Sequence, residues 1–277
     1  MEGFAPSLEA VMDLCGIETL NPGRGEITVR MGELGGMDPA STVLVGRSGW
    51  GHQLLRYAAD FGVRRLVGID AAPRLAAAAP RLRAGGLDEV RLVCGSVAGL
   101  PFADESFDVV TNEGAVGIGT DPARVLAEML RVCRRGGQIV FREVCWNPDA
   151  AAAADGDGDG DGDGDAGRGE LAARYGRQLL TVPEWLALVD RCGGEARVEP
   201  GPWDAPETFW DVRDDRAVAG YQEIFTAREK MLVGKRIVRA HGTAGLARSK
   251  ANEDAVYAAV LGGRIGYVLV SGTRRAR

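Results

Sequence analysis

From residue 42 onward, apolar runs alternate with amphipathic stretches. Val43 to Val45 is a short, wholly apolar run, as expected of a strand buried on both faces. Glycines come next, and then Leu54, Leu55, Tyr57, Ala58 and Phe61 recur at helical spacing. "RRLVGID" predicts a second strand, and "APRLAAAAPRLRAG" a helix interrupted near Pro80, where an N–H is missing. "EVRLVCGSV" and "SFDVVTNEGAV" read as the third and fourth strands. "DPARVLAEMLRVCRRGG" predicts a helix that begins after Thr120 and ends at Gly136 and Gly137, and "QIVFREVCW" a fifth strand. Further along come a helix ("TVPEWLALVDRCGG"), a strand ("EARVEPGPW"), a mixed segment to about Gly262, and a last strand, "RIGYVLVSGTR".

Strands alternating with helices predict an α/β fold, a doubly wound parallel sheet that binds ligands at the carboxyl ends of its strands. The expected organisation is an N-terminal helical or cap segment over 1–38, a cofactor-binding core over 39–147, a disordered Asp-Gly loop over 148–170, and a C-terminal part over 171–277. Within that last part, a mostly helical cap insertion is expected at about 206–262, where Phe209, Trp210, Tyr221, Phe225 and Tyr257 could line a lid over a small acceptor. Aromatic residues at helical spacing also pack inward, and both readings stand.

Charge changes this picture in one place. Six aspartates alternate with glycines from Asp155 to Asp165 and account for a charge as large as the net −6 of the 277-residue chain, so the remainder is neutral. A neutral body argues against a nucleic-acid groove. Glycine entropy and like-charge repulsion predict disorder for the run. Counting from Asp159, Gly164 is sixth and Glu170 twelfth, the spacing of a calcium loop, although any Asp-Gly repeat meets the early positions. No apolar run is long enough to span a membrane and the N-terminus lacks a signal-peptide pattern, so a cytoplasmic protein without a membrane partner is expected. Five cysteines without a CxxC pair indicate neither a disulfide framework nor a metal site.

The chemistry concentrates in "STVLVGRSGWG" and at the end of the next strand. A glycine turn between a parallel strand and a helix lets a ligand approach the backbone, where free N–H groups attract polar or anionic groups. Asp70 ends the adjacent strand nineteen residues after Gly51, where a carboxylate can accept both hydroxyls of a ribose. The dinucleotide fingerprint G-x-G-x-x-G would place its third glycine at Leu54, which leaves a nicotinamide-dependent oxidoreductase the weaker reading.

Taken in order, "STVLVGRSGWG", "LVGIDAAP", "VCGSVAGLPFADESFDVV", "ARVLAEMLRVCRRGGQIVF" and "TVPEWLALVDRCGG" resemble the class I S-adenosylmethionine-dependent methyltransferases of the small-molecule type, over residues 20 to 147 and the C-terminal strand. The resemblance implies a Rossmann-like sheet of seven strands, the last two an antiparallel pair, with S-adenosylmethionine as cofactor and a small-molecule methyl acceptor. Carried onto matching positions, it implies cofactor contacts from Arg24, Gly46, Arg47, Gly49, Gly51, Asp70, Ser96, Val97 and Asn112. Two places depart from the family pattern. Val45 and Arg47 stand where a first-strand acid and the first glycine are usual, and Ser96 stands where an acid usually meets the adenine. Arg47 and Arg24 could instead hold the methionine carboxylate.

Methyl transfer asks for alignment of a nucleophile and exclusion of water, with a general base only for an acceptor protonated at neutral pH. Candidate bases are Glu113, Glu143 and His52; Cys145, Trp146 and His241 are further polar or reactive side chains near expected strand ends or in the late insertion. Glu143 could equally cap a loop, and His52 could be a surface residue. An arsenic methyltransferase would use a set of thiols, of which Cys145 and Cys192 could be two. The alternative to catalysis is a methyltransferase-fold chain that has lost its cofactor and serves as a binding or scaffold partner.

Overall fold

The computed structural model describes residues 26–118, 121–149, 164–199 and 227–275. In chain order these form α1 (Glu26–Leu34), β1 (Thr42–Gly46), α2 (His52–Phe61), β2 (Arg65–Asp70), α3 (Ala72–Ala84), β3 (Arg91–Cys94), β4 (Phe107–Glu113), α4 (Pro122–Val132), β5 (Cys133–Trp146), α5 (Gly164–Tyr175), α6 (Val182–Arg191), β6 (Gly194–Val198), α7 (Ala227–Leu261) and β7 (Ile265–Arg274). The seven strands make one sheet in the order β3-β2-β1-β4-β5-β7-β6, with β1 to β5 parallel and β6 antiparallel to β7. Among the described residues no helix is long and apolar enough to cross a membrane.

The chain divides into two compact units. One comprises Gly23–Glu143, Val182–Pro200 and Val268–Arg277. In its core Val43, Val45 and Leu66 of the sheet meet Leu54 and Tyr57 of α2 and Ala78 and Leu82 of α3. The amphipathic spacing of "HQLLRYAADF" is thus the face α2 buries, and Gly51 and Gly62 bound the helix with φ of 90° and 68°. The other unit comprises Met1–Pro22, Val144–Thr181 and Gly201–Tyr267, and in it α7 packs on α5. Two helical stretches of α7 meet at Gly242, whose φ of 71° no helix contains.

The structure differs from the sequence expectation in three places. α3 runs through Pro80 without interruption, because Leu75, Ala78 and Leu82 are buried on one face while Pro80 is exposed on another. α4 ends at Val132 rather than at Gly136 and Gly137. Cys133 is already extended, and the glycines lie inside β5 at a register shift against β4, where a Cβ on Gly137 would stand 2.6 Å from the Asp108 carbonyl oxygen. Residues 164–170 of the segment expected to be disordered lie in α5, which begins at Gly164. Glu170 bonds Arg174 within that helix instead of closing a calcium loop. The Asp-Gly run up to Asp163, and Phe209, Trp210, Tyr221 and Phe225 of the expected lid, lie outside the described residues, as does Arg24.

Candidate functional site

The site forms where β2, β1 and β4 end side by side and the chain turns from β1 into α2. Gly46, the last residue of β1, pairs with Asn112 of β4. A Cβ on Gly46 would lie 3.0 Å from Asn112 Nδ2 and 3.3 Å from Val97 Cγ1, so only glycine lets these three come together. Asn112 is fully buried; its Oδ1 accepts from the Ala115 N–H at 3.1 Å, while Nδ2 has no hydrogen-bond partner among the described residues. A buried donor of this kind calls for an acceptor supplied from outside the described residues.

The turn itself has three residues in the left-handed region, Arg47 (φ 51°), Gly49 (φ 55°) and Gly51 (φ 90°). The two glycines do different work. Gly49 faces open space, whereas a Cβ on Gly51 would stand 3.2 Å from Leu82, so Gly51 serves the packing of α2 against α3. Arg47 adopts a conformation that costs an L-residue with a Cβ about 1–2 kcal/mol.

Asp70 is buried and held from both sides. One carboxylate oxygen accepts from the Gly49 N–H at 2.8 Å and the other from the Ala71 N–H at 2.7 Å, with Arg74 3.8 Å away. Burial pushes its carboxyl above the usual aspartate range, against the two backbone donors and the positive charge of Arg47. Ser96 is exposed; its Oγ accepts from the Ala98 N–H at 3.2 Å. "LPF" and the α4 residues prove to be one device. Glu128 accepts from the Leu100 N–H at 2.6 Å, and Arg131 donates to the carbonyls of Leu100 and Phe102 and to Asp104. This ties the loop after Val97 to α4. Arg131→Leu is expected to cost about 2 kcal/mol of stability through lost charge-assisted bonds, read in chemical denaturation, and an unchanged midpoint would show that the loop holds itself.

The base candidates separate. Glu143 is fully buried and its Oε1 accepts from the Val116 N–H at 2.6 Å, which caps the segment after β4. His52 is exposed at the start of α2, with Nε2 3.3 Å from Arg81 Nη1. His241 is exposed on α7, and Cys145 and Trp146 are buried in the second unit. Glu113, at the end of β4, accepts on Oε2 from Thr28 Oγ1 of α1 at 3.1 Å and from Gln53 Nε2 of α2. The sequence signals neither of these donors beyond Gln53 standing in the first turn after the glycines. Cys192 donates to the Ala123 carbonyl at 3.4 Å, and burial pushes the Cys133 thiol up to about 12. Among the described residues no group of three or more His, Cys, Asp or Glu is placed to hold a metal ion.

Residues 46–141 match a family described as a methyltransferase domain. An arsenite methyltransferase of Halobacterium salinarum is 29% identical over 184 residues, 65% of this chain and 44% of that protein. The chain spans less than half the length of the curated relatives it matches first. Among solved structures, a geranyl diphosphate C-methyltransferase of Streptomyces coelicolor A3(2), in complex with Mg2+, geranyl diphosphate and S-adenosyl-L-homocysteine, superposes with a TM-score of 0.62 at 16% identity, covering 91% of this chain and 81% of that one. The [4+2]-cyclase SpnF does so with 0.62 at 20% identity, covering 91% and 80%. These two likenesses are of fold. Over residues 46–141 the chain is thus similar to a methyltransferase domain, and its fold is the one these solved structures share.

Proposed function

We propose that the chain moves a methyl group from S-adenosylmethionine to a small-molecule acceptor, with the cofactor lying across the ends of β2, β1 and β4. The observation that carries this is Asp70: a buried carboxylate locked by Gly49 and Ala71 next to the open face of Gly49. Each oxygen takes one backbone bond and retains a lone pair, the arrangement a ribose diol needs. The residues present fit the cofactor. Asp70 takes the ribose, Gly46 and Gly49 give backbone approach, and Asn112 offers its unused Nδ2 donor. Val97 and Ser96 border the adenine side, and Arg47 meets the methionine carboxylate. Gly51 supports the turn by packing.

When bound, the cofactor supplies a sulfonium-activated methyl group. The protein's part is to fix the donor, exclude water and leave a nucleophile in line with it. No side chain of the site is needed as a base for an acceptor that is already nucleophilic.

A second reading, a methyltransferase-fold chain that has lost cofactor binding and serves as a binding or scaffold partner, is favoured by the bulk of Arg47 at the turn's first glycine position. Calorimetric titration with S-adenosylmethionine, S-adenosylhomocysteine and NADH separates the two. Binding of the first two and not the third, followed by acceptor-dependent conversion of the first to the second, is expected. Binding of none would leave the non-catalytic reading.

A further inference from the structure

Resting on the proposed cofactor site, we infer that Glu113, seated by Thr28 and Gln53, receives the ammonium group at the amino-acid end of the cofactor. β1 has no side chain for this task. Val43, Leu44 and Val45 are fully buried and apolar, and Gly46 comes next. The first unit places two buried carboxylates at the ends of the strands that flank β1, Asp70 on β2 and Glu113 on β4. Two strand spacings separate those strands, roughly 9–10 Å, so one ligand lying across the glycine turn meets both.

The two carboxylates are surrounded differently. Asp70 faces two backbone N–H groups, Arg74, and the positive charge of Arg47. Glu113 is oriented by a hydroxyl and an amide, both bonded to Oε2. The same Gln53 amide that donates Nε2 to Glu113 keeps its Oε1 buried with no hydrogen-bond partner among the described residues. The Glu113 carboxylate and the adjoining Gln53 amide oxygen are both acceptors, and an ammonium brings three donors. Arg142 of β5 lies opposite Glu113 in the strand register and is fully buried, which supplies the competing role: Glu113 as its counter-charge alone.

The test compares the wild type with Glu113→Gln and with the less buried Gln53→Met, by calorimetry against three ligands. S-adenosylhomocysteine has the amino group, its deamino analogue keeps the carboxylate but lacks the amine, and 5′-methylthioadenosine lacks the whole amino-acid end. Glu113→Gln is expected to lose about ten- to a hundredfold affinity for S-adenosylhomocysteine and to keep the other two within about twofold. Gln53→Met is expected to lose about three- to tenfold with the same selectivity, and it carries the test if the Glu113 variant does not fold. Equal losses for all three ligands would assign Glu113 to Arg142 and overturn the inference, as would unchanged S-adenosylhomocysteine binding. Wild-type protein that binds none of the three, methylthioadenosine included, removes the cofactor reading itself and the inference with it.

Discussion

Replacing Asp70 with Ala is expected to weaken S-adenosylmethionine binding by about 1.5–3 kcal/mol, roughly ten- to over a hundredfold. The carboxylate is buried and fixed by the Gly49 and Ala71 N–H groups, so the change removes a charged acceptor and leaves two backbone donors of the turn without their partner. Calorimetry on the variant decides the matter, since unchanged affinity would put the ribose elsewhere. The same residue sets an acid limit. Burial raises its carboxyl above the usual range, and only the ionised form accepts both ribose hydroxyls, so affinity should begin to fall at a higher pH than for an ordinary aspartate. The ligand-free fold responds in the opposite sense. A carboxyl whose folded value is raised contributes stability below its unfolded value, and that contribution is lost as pH rises through the interval up to the folded one. Asp70→Ala should flatten both dependences.

Arg47→Gly is expected to move stability and binding in opposite directions. Arg47 has φ of 51°, the conformation glycine adopts without strain, so the variant should gain about 1 kcal/mol in denaturation even after the extra freedom of an unfolded glycine is counted. Loss of a charge-assisted contact to the methionine carboxylate should meanwhile cost about 1.5 kcal/mol or more of S-adenosylmethionine affinity. S-adenosylhomocysteine keeps the carboxylate and lacks the sulfonium charge, so parallel losses for the two ligands would identify carboxylate recognition. Tighter binding by the variant would show instead that the arginine obstructs the turn, and the non-catalytic reading would gain. A strained residue kept at the cost of stability is what a functional contact explains.

Much of the scaffold was legible from the chain alone. Buried parallel strands need unbroken apolar runs, so the runs around "TVLVG" and "RLVGID" mark β1 and β2 within a residue, and "SFDVVTNEGAV" marks β4 with an end three residues too far. The helix after the glycines showed in its apolar spacing, and Asp70 by its place at a strand end. Helix ends were less legible, because they depend on remote groups. Gly136 and Gly137 read locally as a helix stop. Gly137 serves the close approach of β5 to the Asp108 carbonyl and Gly136 a left-handed backbone of φ 72°, neither of which a local pattern encodes.

At the site, residue type was written in the sequence and residue role was not. Gly49 and Gly51 look alike in a string; one faces open space and the other presses on Leu82, from a helix that begins twenty-one residues later. Glu113 and Glu143 are both acids near strand ends. Glu143 is bound to the Val116 N–H, twenty-seven residues back, while Glu113 is turned by Thr28, eighty-five residues before it, and by Gln53. The sequence by itself determined the order of strands and helices, the glycine turn and the aspartate at the end of β2, because local periodicity and backbone preference decide these. Which donors hold each acid was decided only by tertiary structure, because a buried carboxylate is oriented by whatever groups the fold brings to it, and those come from distant segments.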